Sequence, residues 1–449
     1  MKLDPVTLQV LSSALRSVCE EMGAVLIRSA YSVNIKERRD CSTALFDADG
    51  RMVAQAEHIP VHLGAMPDAV KAVLEEGPVP GDVFILNDPF RGGTHLPDIT
   101  LVSPITHSGE IVAYAASRAH HADVGGREPG SMPAESTTLE EEGVVIPPTR
   151  LALAGKINED FLSGMLAKVR NPEERRGDLR AQMGAASVAE RRFLELSQRN
   201  GSDVIAAAMR ESLAYAERRM RGAIGALPDG IYAAEDFLER DGQDLVISVA
   251  VSISGQEASV AFDGTSPQEA GNLNCPMPVT RSACYFVLKA VTDPDIPANA
   301  GALSPINVTA PEGSLVNARP PAAVAAGNVE TSQRIVDAMM LALSKALPLP
   351  AQGQGTMNNL TLGSSGFSYY ETIGGGAGGC PGRRGASGIH LGMTNTLNTP
   401  IEALEMAYPL QVERYEFRRG SGGAGRHSGG DGVVRQIKLL NPARLSLLC

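Results

Sequence analysis

Between Asn87 and Thr100 the sequence reads NDPFRGGTHLPDIT. His95 and Asp98 stand three residues apart, and Pro97 stiffens the loop that carries them. A strand-like run, GDVFIL, precedes the loop and another, ITLVSPI, follows it. The next strand-like run, IVAYAAS, leads into SRAHHADVGG, which carries His120, His121 and Asp123. In an antiparallel hairpin the start of one strand lies beside the end of its partner. HLPD and AHHAD are therefore expected to be neighbours in space. Two imidazoles and a carboxylate converging in this way suit a divalent metal, with zinc, manganese and iron all compatible. The bare His-x-x-Asp spacing equally fits a hydrogen-bonded structural pair; the expected approach of His120 is what favours a metal. Adjacent strand residues face opposite ways, so His120 and His121 are not expected to ligate together. His121 and Asp123 are candidates for orienting a ligand or for acting as general base. Asp40, in KERRDCS, is either an arginine-paired carboxylate or an additional ligand. His58 and His62 bracket Pro60, and His107, His390 and His427 suggest no chemistry by their spacing.

The elements that must position these residues can be read from periodicity. Leu8, Leu11, Leu15, Val18, Met22 and Leu26 recur at three- and four-residue steps, which predicts a helix over 5–30 with Asp4 as its cap. CSTALFD and RMVAQ flank Asp-Gly and predict a hairpin. MPDAVKAVLEE predicts a short helix, and ITLVSPI with IVAYAAS a second hairpin around HSGE. TLEEEGVVIPPTRL reads as an extended acidic segment. Two long amphipathic stretches between about 158 and 227 are joined by NGSD. They suit helices packed on the sheet, or an interaction arm. Strand patterns return over 230–275, followed by two further helices and two glycine-rich loops, YETIGGGAGGCPGRRGASGIH and RRGSGGAGRHSGGDG. The expected class is α+β, with mixed or antiparallel sheets and long helices in a multi-lobed single chain. The expected division is a metal-site sheet domain over 1–150, a helical segment over 151–228 and an α+β domain with the glycine-rich loops over 229–449.

Composition removes other classes. The 449 residues are 43% hydrophobic and 20% charged, which is ordinary for a globular chain. A net charge of −11 with no basic stripe argues against a nucleic-acid partner. No apolar run reaches membrane-span length and the N-terminus lacks a signal-peptide core, so no membrane partner and a cytoplasmic location are expected. Six cysteines without a CxxC pair give no zinc knuckle. Neither glycine-rich loop fits GxxxxGK[ST], so an ATP site of its own is not expected.

The stretches ERRDCSTALFDADGRMVAQAEHIPVHLGAM, GDVFILNDPFRGGTHLPDITLVSPI, SRAHHADVGGREPGSMP, NLNCPMPVTRSACYF and EMAYPLQVERYEFRRGSGGAGRHSGGDG, spread over nearly the whole chain, resemble the hydantoinase B/oxoprolinase family. That family spans the B-type subunits of N-methylhydantoinase and caprolactamase, half of 5-oxoprolinase, and large subunits of acetone and acetophenone carboxylases. The resemblance implies a hetero-oligomer with a hydantoinase A-type subunit, which uses ATP to phosphorylate a cyclic amide. It implies a divalent metal (zinc, manganese or iron) on this chain, held by His95, Asp98 and His120 with Asp40 as the further carboxylate, which completes hydrolysis. His121 or Asp123 would then accept a proton. Two departures stand out. The chain stops at PARLSLLC, where relatives continue through another glycine-rich stretch, and Arg384 stands where relatives often carry an acidic residue. The expected activity is ATP-dependent hydrolysis of a hydantoin, 5-oxoproline or lactam. The alternatives are a ketone carboxylase subunit and a non-catalytic scaffold.

Overall fold

The computed structural model describes residues 3–56 and 59–449; His58 lies outside them. The apolar stripe near the N-terminus forms the helix Pro5–Ser29, and Asp4 caps it by accepting from Val6 and Thr7 N–H. Leu11, Leu15, Val18, Met22 and Leu26 are its buried face.

Seven strands make the main sheet: β1 (Cys41–Asp47), β2 (Met52–Ala56), β3 (Val83–Leu86), β4 (Asp98–His107), β5 (Glu110–His120), β6 (Thr149–Leu153) and β7 (Lys156–Ile157). Their order is β2-β1-β5-β4-β3-β6-β7, and every pairing is antiparallel. Strand β1 is buried along its whole length because both faces are covered. Leu45, Ala113 and Ala115 pack with the N-terminal helix and with Ala181 and Ala185 of the long helix Pro172–Asn200. Ala44, Phe46 and Val102 pack on the other face with Met66, Val70 and Val73 of the helix Met66–Glu75. The helix Pro172–Asn200 is therefore not a free arm, and Ile205, Ala208 and Met209 of the following helix, Ser202–Ile224, join the same core. Gln182 of Pro172–Asn200 donates to Ile99 O at 3.0 Å, so this helix is tied to the sheet backbone itself.

A second sheet, β8 (Gly230–Arg240), β9 (Gln243–Ser254), β10 (Glu257–Ala261) and β11 (Ile306–Thr309), contains a parallel pair, β10 with β11. The sheet shares its core with the helices Met277–Val291 and Ser332–Leu343. The last third adds β12 (Asn359–Gly363), β13 (Ser368–Thr372), the pair β14 (Leu410–Phe417) and β15 (Val433–Leu439), and β16 (Arg444–Leu448), which joins β12. The fold is α+β. Among the described residues no helix is long and apolar enough to cross a membrane.

One segment departs from its sequence pattern. The acidic stretch expected to be extended forms a helical turn, Leu139–Glu142. Glu142 turns inward and accepts from Ser136 Oγ (2.7 Å) and from Val324 and Ala325 N–H (3.0 and 2.9 Å). A tertiary demand for an acceptor overrides local polarity here.

Candidate metal centre

The hairpin β4–β5 sets the geometry. Asp98 opens β4 and pairs across the ladder with His120, which closes β5. The loop ahead of β4 is pinned at both ends. Asn87 donates from Nδ2 to Leu96 O (2.8 Å) and accepts from Ile146 N–H (2.7 Å). Buried Arg118 donates to Gly92 O and to Thr100 Oγ1, both at 2.8 Å. Gly92 has φ +93°, and a Cβ there would lie 2.5 Å from Ala69 Cα, so the turn requires glycine.

Three side chains converge. His95 Nε2 lies 3.3 Å from His120 Nδ1. Asp98 Oδ2 is 3.4 Å from His95 Nδ1, and Oδ1 is 3.5 Å from His120 Nδ1. One ligand atom from each of the three falls within 4.8 Å of the others. All three residues are buried, each at most 2% exposed. Asp40 sits at the edge: its Oδ2 is 3.9 Å from His120 Nδ1 and 4.0 Å from an Arg38 nitrogen. It is thus both arginine-paired and adjacent to the cluster. Its carbonyl also accepts from His120 N–H at 3.0 Å.

The residues fit a cation. His95 Nδ1, Asp98 Oδ1, His120 Nε2 and His62 Nε2 are buried without a hydrogen-bond partner. Each such atom costs about 1–3 kcal/mol if left bare. Imidazole with carboxylate is the donor set of zinc, manganese and iron sites. Burial pushes His95 down to about 4, against the upward pull of Asp98, so its ring is neutral near pH 7 and offers a lone pair. Burial acts to raise Asp98, but His95, His62 and His120 outweigh it and hold the carboxyl well below its usual range. Thr94 Oγ1 adds a hydrogen bond to Asp98 Oδ2 at 2.6 Å.

Three residues that spacing did not flag complete the surroundings. His62 Nε2 is 3.4 Å from Asp98 Oδ2, while its Nδ1 lies 2.9 Å from Ser42 Oγ. Tyr370 of β13 stacks on His120, with centroids 4.4 Å apart and planes 9° off parallel. Its hydroxyl donates to Asn359 Oδ1 at 2.7 Å, and Arg38 lies over its ring. Asn328 lines the same space. The only sequence signal for His62 was its place after Pro60; Tyr370 and Asn328 lie more than 200 positions from His120 and carried none.

His121 and Asp123 are not brought to the cluster. Strand alternation turns His121 to the opposite face, where its Nε2 lies 3.0 Å from Gln182 Oε1. Asp123 is fully buried and accepts from Gly125, Gly130 and Arg170 N–H and from the Arg170 guanidinium. All four contacts organise the following loop. Together the two residues border a separate small space with Val124, Arg175 and Leu179.

Comparison with known proteins finds matches over nearly the whole chain. The model of the hydantoinase B/oxoprolinase family matches residues 4–449. A 5-oxoprolinase of Dictyostelium discoideum is 38% identical over 100% of this chain, which spans only 36% of that protein. A putative D-/L-hydantoinase chain of the B type, from a Pseudomonas species, is 32% identical, over 99% of this chain and 80% of its own. Among solved structures, the ATP-dependent caprolactamase from Pseudomonas jessenii superposes with TM-score 0.91 at 31% identity, covering 98% of this chain and 79% of that one. An acetone carboxylase in its nucleotide-free structure shares the fold, with TM-score 0.88 at 19% identity over 99% of this chain and 63% of that one. With residues 4–449 matched, and the hairpin that gathers His95, Asp98 and His120 inside the match, this chain belongs to the hydantoinase B/oxoprolinase family.

Proposed function

We propose that this chain is the B-type, metal-dependent component of an ATP-dependent hydrolase of cyclic amides. The observation that carries this reading is the buried convergence of His95, Asp98 and His120, each of which keeps a side-chain ligand atom without a hydrogen-bond partner. The class of substrate is supported by the relatives, whose names denote a 5-oxoprolinase, a hydantoinase and a caprolactamase. An unstrained amide is a poor electrophile, which is why ATP is spent on it. Neither glycine-rich loop fits GxxxxGK[ST], and the family resemblance assigns ATP to an A-type partner subunit that phosphorylates the substrate.

His95, Asp98 and His120 would hold the divalent cation, with Asp40 and His62 beside them. When bound, such an ion supplies Lewis-acid polarisation and a more acidic water. The chain's own residues supply order. Tyr370 fixes the plane of the His120 ring, and Thr94 fixes the Asp98 carboxylate. The surrounding Ile59, Val61 and Met393 keep bulk water from the site, which protects a hydrolysable intermediate from stray attack.

Elemental analysis of the wild type beside the His95→Ala/His120→Ala double variant tests the site. About one cation per chain is expected, lost in the variant while the fold is kept. Equal metal content in both would remove the site. Reconstitution with an A-type partner and ATP then tests the reaction. The shared fold with acetone carboxylase makes ketone carboxylation the rival reading, and incorporation of labelled bicarbonate into product would establish it.

A further inference from the structure

Asn328 sits in a π-helical turn, Gly327–Thr331, that runs directly into the helix Ser332–Leu343. Such turns are rare and recur at functional sites. The backbone here has no slack. Gly327 N–H donates to Asn272 O at 2.8 Å, and a Cβ on Gly327 would lie 1.9 Å from Asn274 O. Asn328 N–H donates to Val324 O (3.0 Å), and its carbonyl accepts from Ser332 Oγ (2.6 Å). The side chain is held in place by this packing, yet its oxygen makes no bond. Asn328 is 2% exposed, borders the space of His95, Asp98 and His120, and its Oδ1 is buried without a partner. His95 is a neighbour of Asn328, but no hydrogen bond of sound geometry joins them. Asn272, outside this space, also leaves its Oδ1 bare, but two other structural asparagines look different. Asn87 and Asn274 each use both ends of the carboxamide on backbone groups. An acceptor aimed bare into a site calls for a donor from whatever binds there.

We propose that Asn328 reads the ring nitrogen of the substrate: its Oδ1 accepts the N–H that the ring carries as a cyclic amide and regains when water adds across the C=N bond of its O-phosphorylated form. Asn328 is then a specificity residue that separates a lactam from a ring ketone of the same size. The inference rests on the cyclic-amide reading above. A site built to bond an N–H rejects an analogue lacking it, because its own buried acceptor is then stranded. The space as it stands has about 30 Å³ for water-sized molecules. Admitting a ring requires the lining to draw back.

The test uses the metal-loaded full chain and two stable probes, 2-pyrrolidone and cyclopentanone, which differ by N–H against CH₂. Binding is followed by calorimetry or ligand NMR in the wild type, Asn328→Ala and Asn328→Leu. One hydrogen bond to a buried acceptor predicts about a tenfold preference of the wild type for pyrrolidone. Both variants should bring the two probes within about twofold of each other, with metal content unchanged. Equal binding of the probes by the wild type would overturn the role of Asn328 and leave the cyclic-amide reading standing. So would a preference that survives in both variants. Loss of metal in the variants would overturn it too, by making Asn328 a ligand. A metal-loaded wild type that binds neither probe, or prefers the ketone, would sink the cyclic-amide reading and this inference with it.

Discussion

Asp123→Asn replaces one carboxylate oxygen by an NH₂ group and separates a structural role from a catalytic one. Oδ1 accepts from Gly125 N–H (2.8 Å) and Arg170 N–H (3.0 Å). Oδ2 accepts from Gly130 N–H (2.8 Å) and from an Arg170 guanidinium nitrogen (3.0 Å). Whichever way the new amide turns, its NH₂ faces two donors. Two hydrogen bonds are lost and two donors are stranded, at about 1–3 kcal/mol for each buried group. The Arg170 side chain is 25% exposed and also donates to Gly126 O and Glu128 O, so its charge is not abandoned. That places the expected loss near the lower end for a broken buried pair, about 3 kcal/mol. Urea unfolding reads it directly. With a slope of about 3 kcal/mol per molar, the midpoint should fall by about 1 M. Metal content of the folded variant should stay at the wild-type level, because Asp123 faces away from the cluster. A variant with an unchanged midpoint but no activity in the reconstituted complex would refute this account and return Asp123 to the chemistry.

Tyr370→Leu removes the ring stacked on His120 and should weaken metal affinity about tenfold, while Tyr370→Phe, which keeps the stack, should lose much less; competition against a fluorescent chelator measures both. His62→Ala should lower metal affinity by about 10- to 100-fold in the same assay, and an unchanged value would mean that the His62–Asp98 contact is idle. Burial pushes Glu142 up to about 7, against its backbone and Ser136 donors. The folded state then holds a proton that the unfolded chain releases near its ordinary value of 4.5, so Glu142 stabilises the fold below that pH and the contribution is lost as pH rises toward 7. Glu142→Gln keeps the acceptor that three donors share. Between pH 4.5 and 7 the wild type should therefore lose stability relative to the variant by up to about 3 kcal/mol, seen in melts at matched ionic strength; parallel pH profiles would rule out the shift.

Much of the candidate site was legible because it is local. A Pro-stiffened loop, a strand, a tight turn and a second strand bring His95, Asp98 and His120 together by hairpin geometry alone, and the observed pairing of Asp98 with His120 is that geometry. The N-terminal helix and its Asp4 cap were legible for the same reason: periodicity and capping act over a few residues. His121 and Asp123 are the instructive pair. Their types and closeness to His120 suit a base, but alternation along a strand sends His121 to the Gln182 side, and the Arg170 and glycine N–H groups consume every acceptor site of Asp123.

The sequence by itself determined the family, the α+β class and the hairpin that gathers one carboxylate and two imidazoles, since all of these rest on short-range pattern. The tertiary structure alone decided what surrounds them. Tyr370 reaches His120 from β13, Asn328 arrives on a π-helical turn, and His62 comes from the far side of β2. None of these approaches has a spacing rule. Each is fixed by how the helices and sheets bury their apolar faces against one another, and packing of that kind is written in the whole chain rather than in any stretch of it.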